Sequence, residues 1–257
     1  MSLEQVLGAA LVVVGGSFVQ TIAGFGMGLF SVPLLIYLGF PLANAVALSV
    51  GAGLVQLLIG LRSVRHEVNW PDAFGMAVIQ ALTVPVGMLG MQLLSDAGPA
   101  RVKQGVGVLL FVALGVRQLW RPAPRDTVAP VWKVVAGSVS GLLSGLAGMG
   151  GPPLVLYALA HRFSVDRYRA FLWSQFVLVV PVMVTTLALR FGAEVLLTFG
   201  LGVALTPCLW VGARLGMRVS ARFEVATVQR IAVGLLYVIA LSGALGPLLA
   251  ERLPGAG

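Results

Sequence analysis

Charged residues are sparse in this chain, and the stretches between them predict its elements. From position 5 to position 61 there is no Asp, Glu, Lys or Arg, 57 positions in a row. Further uncharged runs cover 73–95, 134–160, 170–189, 195–213 and 231–250. A helix that crosses a bilayer needs about 20 apolar residues. The runs 73–95, 170–189, 195–213 and 231–250 each fit one crossing. The run 134–160 is too long for one, and the 57-residue run must hold more than one. Residues 102–120 form a further candidate span, with Lys103 and Arg117 able to reach outward from its ends.

Both long runs are interrupted. Gly24, Gly26 and Gly28 break the first, with Pro33 following. Gly148, Gly150 and Gly151 break the second, with Pro152 and Pro153 directly after. The pieces beyond the breaks, 29–39 and 152–160, are too short to span and predict re-entrant or half-helix arms. The two breaks also resemble each other. Ala23-Gly24-Phe25-Gly26 aligns with Ala147-Gly148-Met149-Gly150 at an offset of 124. Pro85 and Gly90 match Pro207 and Gly212 at an offset of 122, and Leu109–Val112 matches Leu235–Val238 at 126. This pattern predicts two transmembrane repeats, 1–120 and 132–257, joined by a polar, proline-containing linker at 121–131. Each repeat holds a Gly-broken helix, a short arm and three long helices. Five segments per repeat is an odd number, so the second repeat is expected upside down relative to the first.

Composition narrows the class. The chain is 58% hydrophobic and 10% charged, with a mean hydropathy of +0.98. Soluble domains carry about 25% charged residues. A soluble enzyme, a nucleic-acid reader and a disordered chain are all disfavoured, which leaves an all-α polytopic membrane protein in contact with a lipid bilayer. The net charge of +8 is a topology signal rather than a nucleic-acid patch. With the N-terminus outside, 13 of the 17 basic residues fall on the inner side: Arg62, Arg65, Arg117, Arg121, Arg125, Lys133, Arg162, Arg167, Arg169, Arg214, Arg218, Arg222 and Arg230. Arg101, Lys103, Arg190 and Arg252 remain outside. Basic residues concentrate on the cytoplasmic side, so both termini are expected outside, across a bacterial plasma or inner membrane. The first five residues, MSLEQ, lack the basic start of a cleavable signal, so the first helix is expected to be retained.

The chemistry available within the spans is neutral. All nine acids lie at span ends or in loops, and His66 and His161 lie in charged loops. Cys208 is the single cysteine, so no internal disulfide forms. No cofactor and no metal is expected. A membrane-embedded enzyme lacks its signatures here: there is no G-x-S-x-G, no H-E-x-x-H and no deep histidine to activate Ser144. A non-transporting membrane subunit is the other alternative, and the two-half symmetry argues mildly against it. An anion site needs no intramembrane cation. Where a helix restarts after a glycine break its first N–H groups lack partners, and its dipole is positive there. Pro152 and Pro153 suit such a first turn. The competing reading of these glycines is close helix packing. Gln20, Thr21 and Ser144 flank the breaks and are candidate cavity residues. For Gln56, Gln80 and Gln175 an interhelical hydrogen bond is at least as good an account. Trp70, Trp120 and Trp132 fall at span ends as interfacial anchors.

The segments QTIAGFGMGLFSVPLL (20–35) and GLLSGLAGMGGPPLVLY (141–157) together resemble the paired signatures of the sulfite exporter TauE/SafE family, and the resemblance runs over nearly the whole chain. It implies export of a small anion such as sulfite or a sulfonate. The expected substrate-binding residues are Gln20, Thr21, Gly24, Gly26, Gly28, Ser144, Gly148, Gly150 and Gly151. The sequence leaves the oligomeric state and the coupling ion open.

Overall fold

The computed structural model describes residues 2–23, 26–119, 122–125, 128–222 and 225–252. Eleven α-helices and one 3-10 turn make up these residues, and no strand is among them. The first half contains α1 (Leu3–Ala23), α2 (Met27–Tyr37), α3 (Leu42–Val64), α4 (Trp70–Asp96) and α5 (Pro99–Leu119). The second contains α6 (Pro130–Ala147), α7 (Gly151–Leu159), α8 (Val165–Phe191), α9 (Glu194–Ala204), α10 (Thr206–Arg222) and α11 (Val225–Arg252). Among the described residues six helices are long and apolar enough to cross a membrane, and the bent pair α9–α10, taken as one span, makes a seventh.

The helices are apolar on the outside. On α4, Phe74, Val78, Leu82, Val86, Leu89 and Leu93 are exposed, while Met76, Gln80, Val84, Gly87, Met88 and Met91 are buried. An outward apolar stripe on every turn suits lipid as solvent, and the inward face must then gain its stability from close packing. Glycine supplies that closeness. On α6 a Cβ at Gly141 or Gly145 would run into the backbone of α4 at Gln80 and Val84, and one at Gly87 would strike Leu142 of α6. The same device joins α10 to α1, where Gly212 lies on Val14, and α9 to α3, where Gly51 and Gly202 lie on Phe199 and Leu48. Gly107 and Gly243 bring α5 and α11 together.

The pairings correspond between the halves. As α6 packs on α4, α1 packs on α10; as α3 packs on α9, α8 packs on α4. Both breaks reverse the chain, and each arm returns along the helix before it. Gly8, Gly15 and Gly16 of α1 face Leu38, Phe30 and Ser31. At the end of α7 the Ala160 carbonyl accepts from Arg125 N–H at 2.9 Å, close to where α6 begins. The short arms are therefore return arms, and neither crosses alone.

The ends of the helices sort by charge. Lys133 at the start of α6 pairs with Asp72 at the start of α4. Arg125 meets Ala160, and the 65–67 turn packs on α8. Glu67, Asp72 and Arg167 share one small pocket. At the opposite end Lys103 sits 5.3 Å above the Tyr37 ring, and Tyr37 Oη lies 3.2 Å from Ser242 Oγ. Consequently α1 starts at the Tyr37–Lys103 end, while α6 starts at the basic end.

One element differs from the sequence expectation. The second half was expected to hold three long helices like the first, yet the middle one is two pieces, α9 and α10, meeting at 48°. Pro207 sits in the first turn of α10 and lacks the N–H that would carry the α9 ladder across the junction at Leu205. The matching Pro85 stays within an unbroken α4.

Candidate functional site

The two breaks meet near the centre of the bundle. A Cβ on Gly28 would collide with the carbonyl oxygen of Gly148, so the two backbones touch where neither has a side chain. The local geometry requires glycine at two points. Gly26 caps the start of α2 at φ 119°, and Gly148 caps the end of α6 at φ 67°. Both values lie in the left-handed region that other residues rarely enter. At the α6 exit the carbonyls of Ser144 and Leu143 accept from Gly148 N–H at 2.8 Å and Met149 N–H at 3.1 Å. Ser140 Oγ donates to the Gly150 carbonyl at 2.8 Å, which fixes the start of α7.

A cavity of ≈90 Å³ lies at this junction. It is lined by Gln20, Gly26, Gly28, Ser144, Gly148, Gly150 and Gly151, seven of the nine residues expected from sequence. Gly24 lies outside the described residues. Thr21 lies one step away: its hydroxyl donates to Ser17 O at 2.8 Å and accepts from Gln56 Nε2 at 3.0 Å. The remaining lining comes mostly from α3 and α8, including Ser49, Gly53, Phe176 and Met183. Sequence reasoning missed these because an apolar or small residue on a long apolar helix carries no local signal of facing a cavity. Gln80 lines the cavity as well. Its Nε2 donates to Gln175 Oε1 at 2.8 Å, and its Oε1, 3.1 Å from Ser140 Oγ, shares that hydroxyl's single proton with the Gly150 carbonyl, so it bridges α4, α6 and α8.

The cavity is neutral: no charged side chain lines it. What it presents instead is backbone. At the start of α2 the N–H groups of Met27, Gly28 and Leu29 have no acceptor within the helix. At the start of α7 only Gly151 offers one among the first three positions, since Pro152 and Pro153 carry none. Each helix start adds about half a positive charge. Of the two helix starts, α2 is the richer donor.

Gln20 stands at the edge of this cavity. It is 6% exposed, and its Oε1 is buried without a hydrogen-bond partner. It lines a second, wider space as well, a vestibule of ≈1260 Å³ that extends past Thr21, Gln56 and Trp173 to His161, Arg162 and Arg169. The vestibule opens at the basic end. Toward the other end the packing around the cavity is tight, with Leu35, Val46, Met91 and Leu187 at 1% exposure or less. A separate groove of ≈670 Å³ between α5, α6, α7 and the linker residues Pro122, Ala123, Arg125, Val128 and Ala129 is mostly apolar, and none of the described break glycines lines it.

A bundle of this kind, apolar outside, glycine-packed inside and broken twice at its middle, defines a polytopic helical membrane protein with discontinuous helices. The model of the Sulfite exporter TauE/SafE family matches residues 8–243. The chain belongs to that family, whose members are membrane transporters and not enzymes. A Cupriavidus necator protein named "Probable sulfite/organosulfonate exporter TauE" is 25% identical over 244 residues, covering 94% of this chain and 92% of that one. No solved structure matches the chain.

Proposed function

We propose that this protein exports a small sulfur oxyanion, sulfite or a small sulfonate, and binds it in the ≈90 Å³ cavity between the starts of α2 and α7. The observation that carries this reading is the meeting of two glycine breaks around a neutral cavity bordered by two helix N-termini. Helix starts favour anions, and broken helices near the midplane are where transporters hold substrate. The name of the C. necator relative supports the same substrate class.

The direction follows from the vestibule. Taking the basic end as cytoplasmic, the cavity is reached from the cytoplasm past Arg162, Arg169 and Gln20. The arginines raise the local anion concentration at the mouth. This is the loading state of an exporter. The opposite starting ends of α1 and α6 support the inverted relation of the two repeats, with both termini outside and the linker at 121–131 inside. The test is flux. Purified protein in liposomes should move labelled sulfite across the bilayer faster than empty liposomes, with competition from small sulfonates. Absence of flux from well-folded protein with sulfite, sulfonates and thiosulfate alike would contradict the proposal.

A further inference from the structure

Gln20 adds something that an anion site does not call for. An anion supplies acceptors, and the backbone amides of α2 and α7 satisfy them. Yet the atom Gln20 leaves unpaired is also an acceptor, its Oε1, buried at the cavity. A buried polar atom without a partner is destabilising, so its natural complement is a donor that arrives with the ligand. Charge gives a second, independent constraint. The positive starts of α2 and α7 are offset in part by the negative end of α6, which stops at the same junction with Gly148 in the lining, and the lining has no Arg, Lys or His. The cost of removing an ion from water grows with the square of its charge, so a dianion is poorly matched to this cavity and a monoanion well matched.

Resting on the export reading, we infer that the species bound is a singly charged oxyanion that carries an O–H donor, with Gln20 Oε1 accepting that hydrogen bond. Hydrogensulfite fits this description, as does a small hydroxyalkanesulfonate; the sulfite dianion and a sulfonate with no donor do not. Gln20 thereby acts in selection at the boundary between vestibule and cavity. The titratable and charged groups on the approach are His161, Arg162, Tyr168 and Arg169. Those on the surrounding helices, Glu4, Arg62, Asp72 with Lys133, Arg190, and Arg214, Arg218 and Arg222 of α10, are outside the cavity lining.

The experiment measures both binding and flux on the same preparation. Initial rates for labelled sulfite are taken at fixed total concentration across the pH range in which sulfite takes up its proton. Rates should rise as pH falls, following the hydrogensulfite fraction. The variant His161→Gln should retain the same pH dependence, which separates protonation of the ligand from that of the vestibule histidine. In competition binding, hydroxymethanesulfonate should bind at least tenfold more tightly than methanesulfonate. Gln20→Met, which keeps the side-chain length and removes the acceptor, should abolish that difference. Rates that follow total sulfite or the dianion, or equal binding of the two sulfonates to the unsubstituted protein, would overturn the inference while leaving export intact. Absence of flux at every pH would overturn export, and the competition between the two sulfonates would still decide the inference.

Discussion

At the level of single residues, the site is built from what is missing. Gly28 and Gly148 let two backbones touch, and Gly53 leaves the cavity open on the α3 side. Ser144 brings a hydroxyl to the lining, 6% exposed and pressed against Gly150. If it donates to the bound anion, Ser144→Ala should weaken binding by about 1.5–3 kcal/mol, the worth of a hydrogen bond to a charged group. Calorimetric titration with sulfite checks this, and thermal stability should change little. An unaltered affinity would remove Ser144 from the site and leave the backbone amides in place. Gln20, Ser144 and the break glycines were legible in the sequence because polar residues and clustered glycines stand out in an apolar run. The cavity faces of α3 and α8 were not. Ser49, Phe176 and Met183 look like any core residues until the bundle places them, and Gln80 reads as an interhelical bridge, which it also is.

At the level of elements, glycine position sorts into two jobs that sequence alone leaves mixed. Gly145, Gly212 and Gly202 sit where backbones of neighbouring helices press together. Gly145→Leu or Gly212→Leu should therefore destabilise the bundle by about 1–3 kcal/mol, the usual cost of overpacking. Gly115, Gly200 and Gly234, with nothing within 4 Å of a Cβ, should accept alanine without loss and gain helix propensity. Melting temperatures of the detergent-solubilised variants distinguish the two groups, and equal destabilisation in both would contradict the packing account. Most of the spans were legible from charge spacing, though within the expected span 231–250 the described apolar helix covers Val233–Gly246, and the arms were legible from the breaks. The division between α9 and α10 was not, because Pro85 and Pro207 occupy matching places and only one of them divides a helix. The outcome at each depends on what packs beside it, which a local pattern does not encode.

At the scale of the whole molecule, the structure separates a basic end from an opposite end, and the vestibule opens only toward the first of these among the cavities described. Both termini are expected outside. An alkaline phosphatase fusion at the C-terminus should be active and a cytoplasm-dependent fluorescent fusion dark; the reverse would break the inverted-repeat account and the export direction with it. The central claim, that the anion passes through the cavity at the crossed breaks, has a more direct test in Gly53. A Cβ there makes only ordinary contact, 3.6 Å from Met27 Cγ and 4.0 Å from Gln20 Oε1. Gly53→Ala should thus fold and transport, whereas the isobutyl group of Gly53→Leu should occupy most of the cavity. Labelled sulfite flux is measured in liposomes holding equal amounts of monodisperse protein of each kind. The predicted result is flux in the parent and in Gly53→Ala, with at least a tenfold loss in Gly53→Leu. Undiminished flux through folded Gly53→Leu would place the pathway elsewhere.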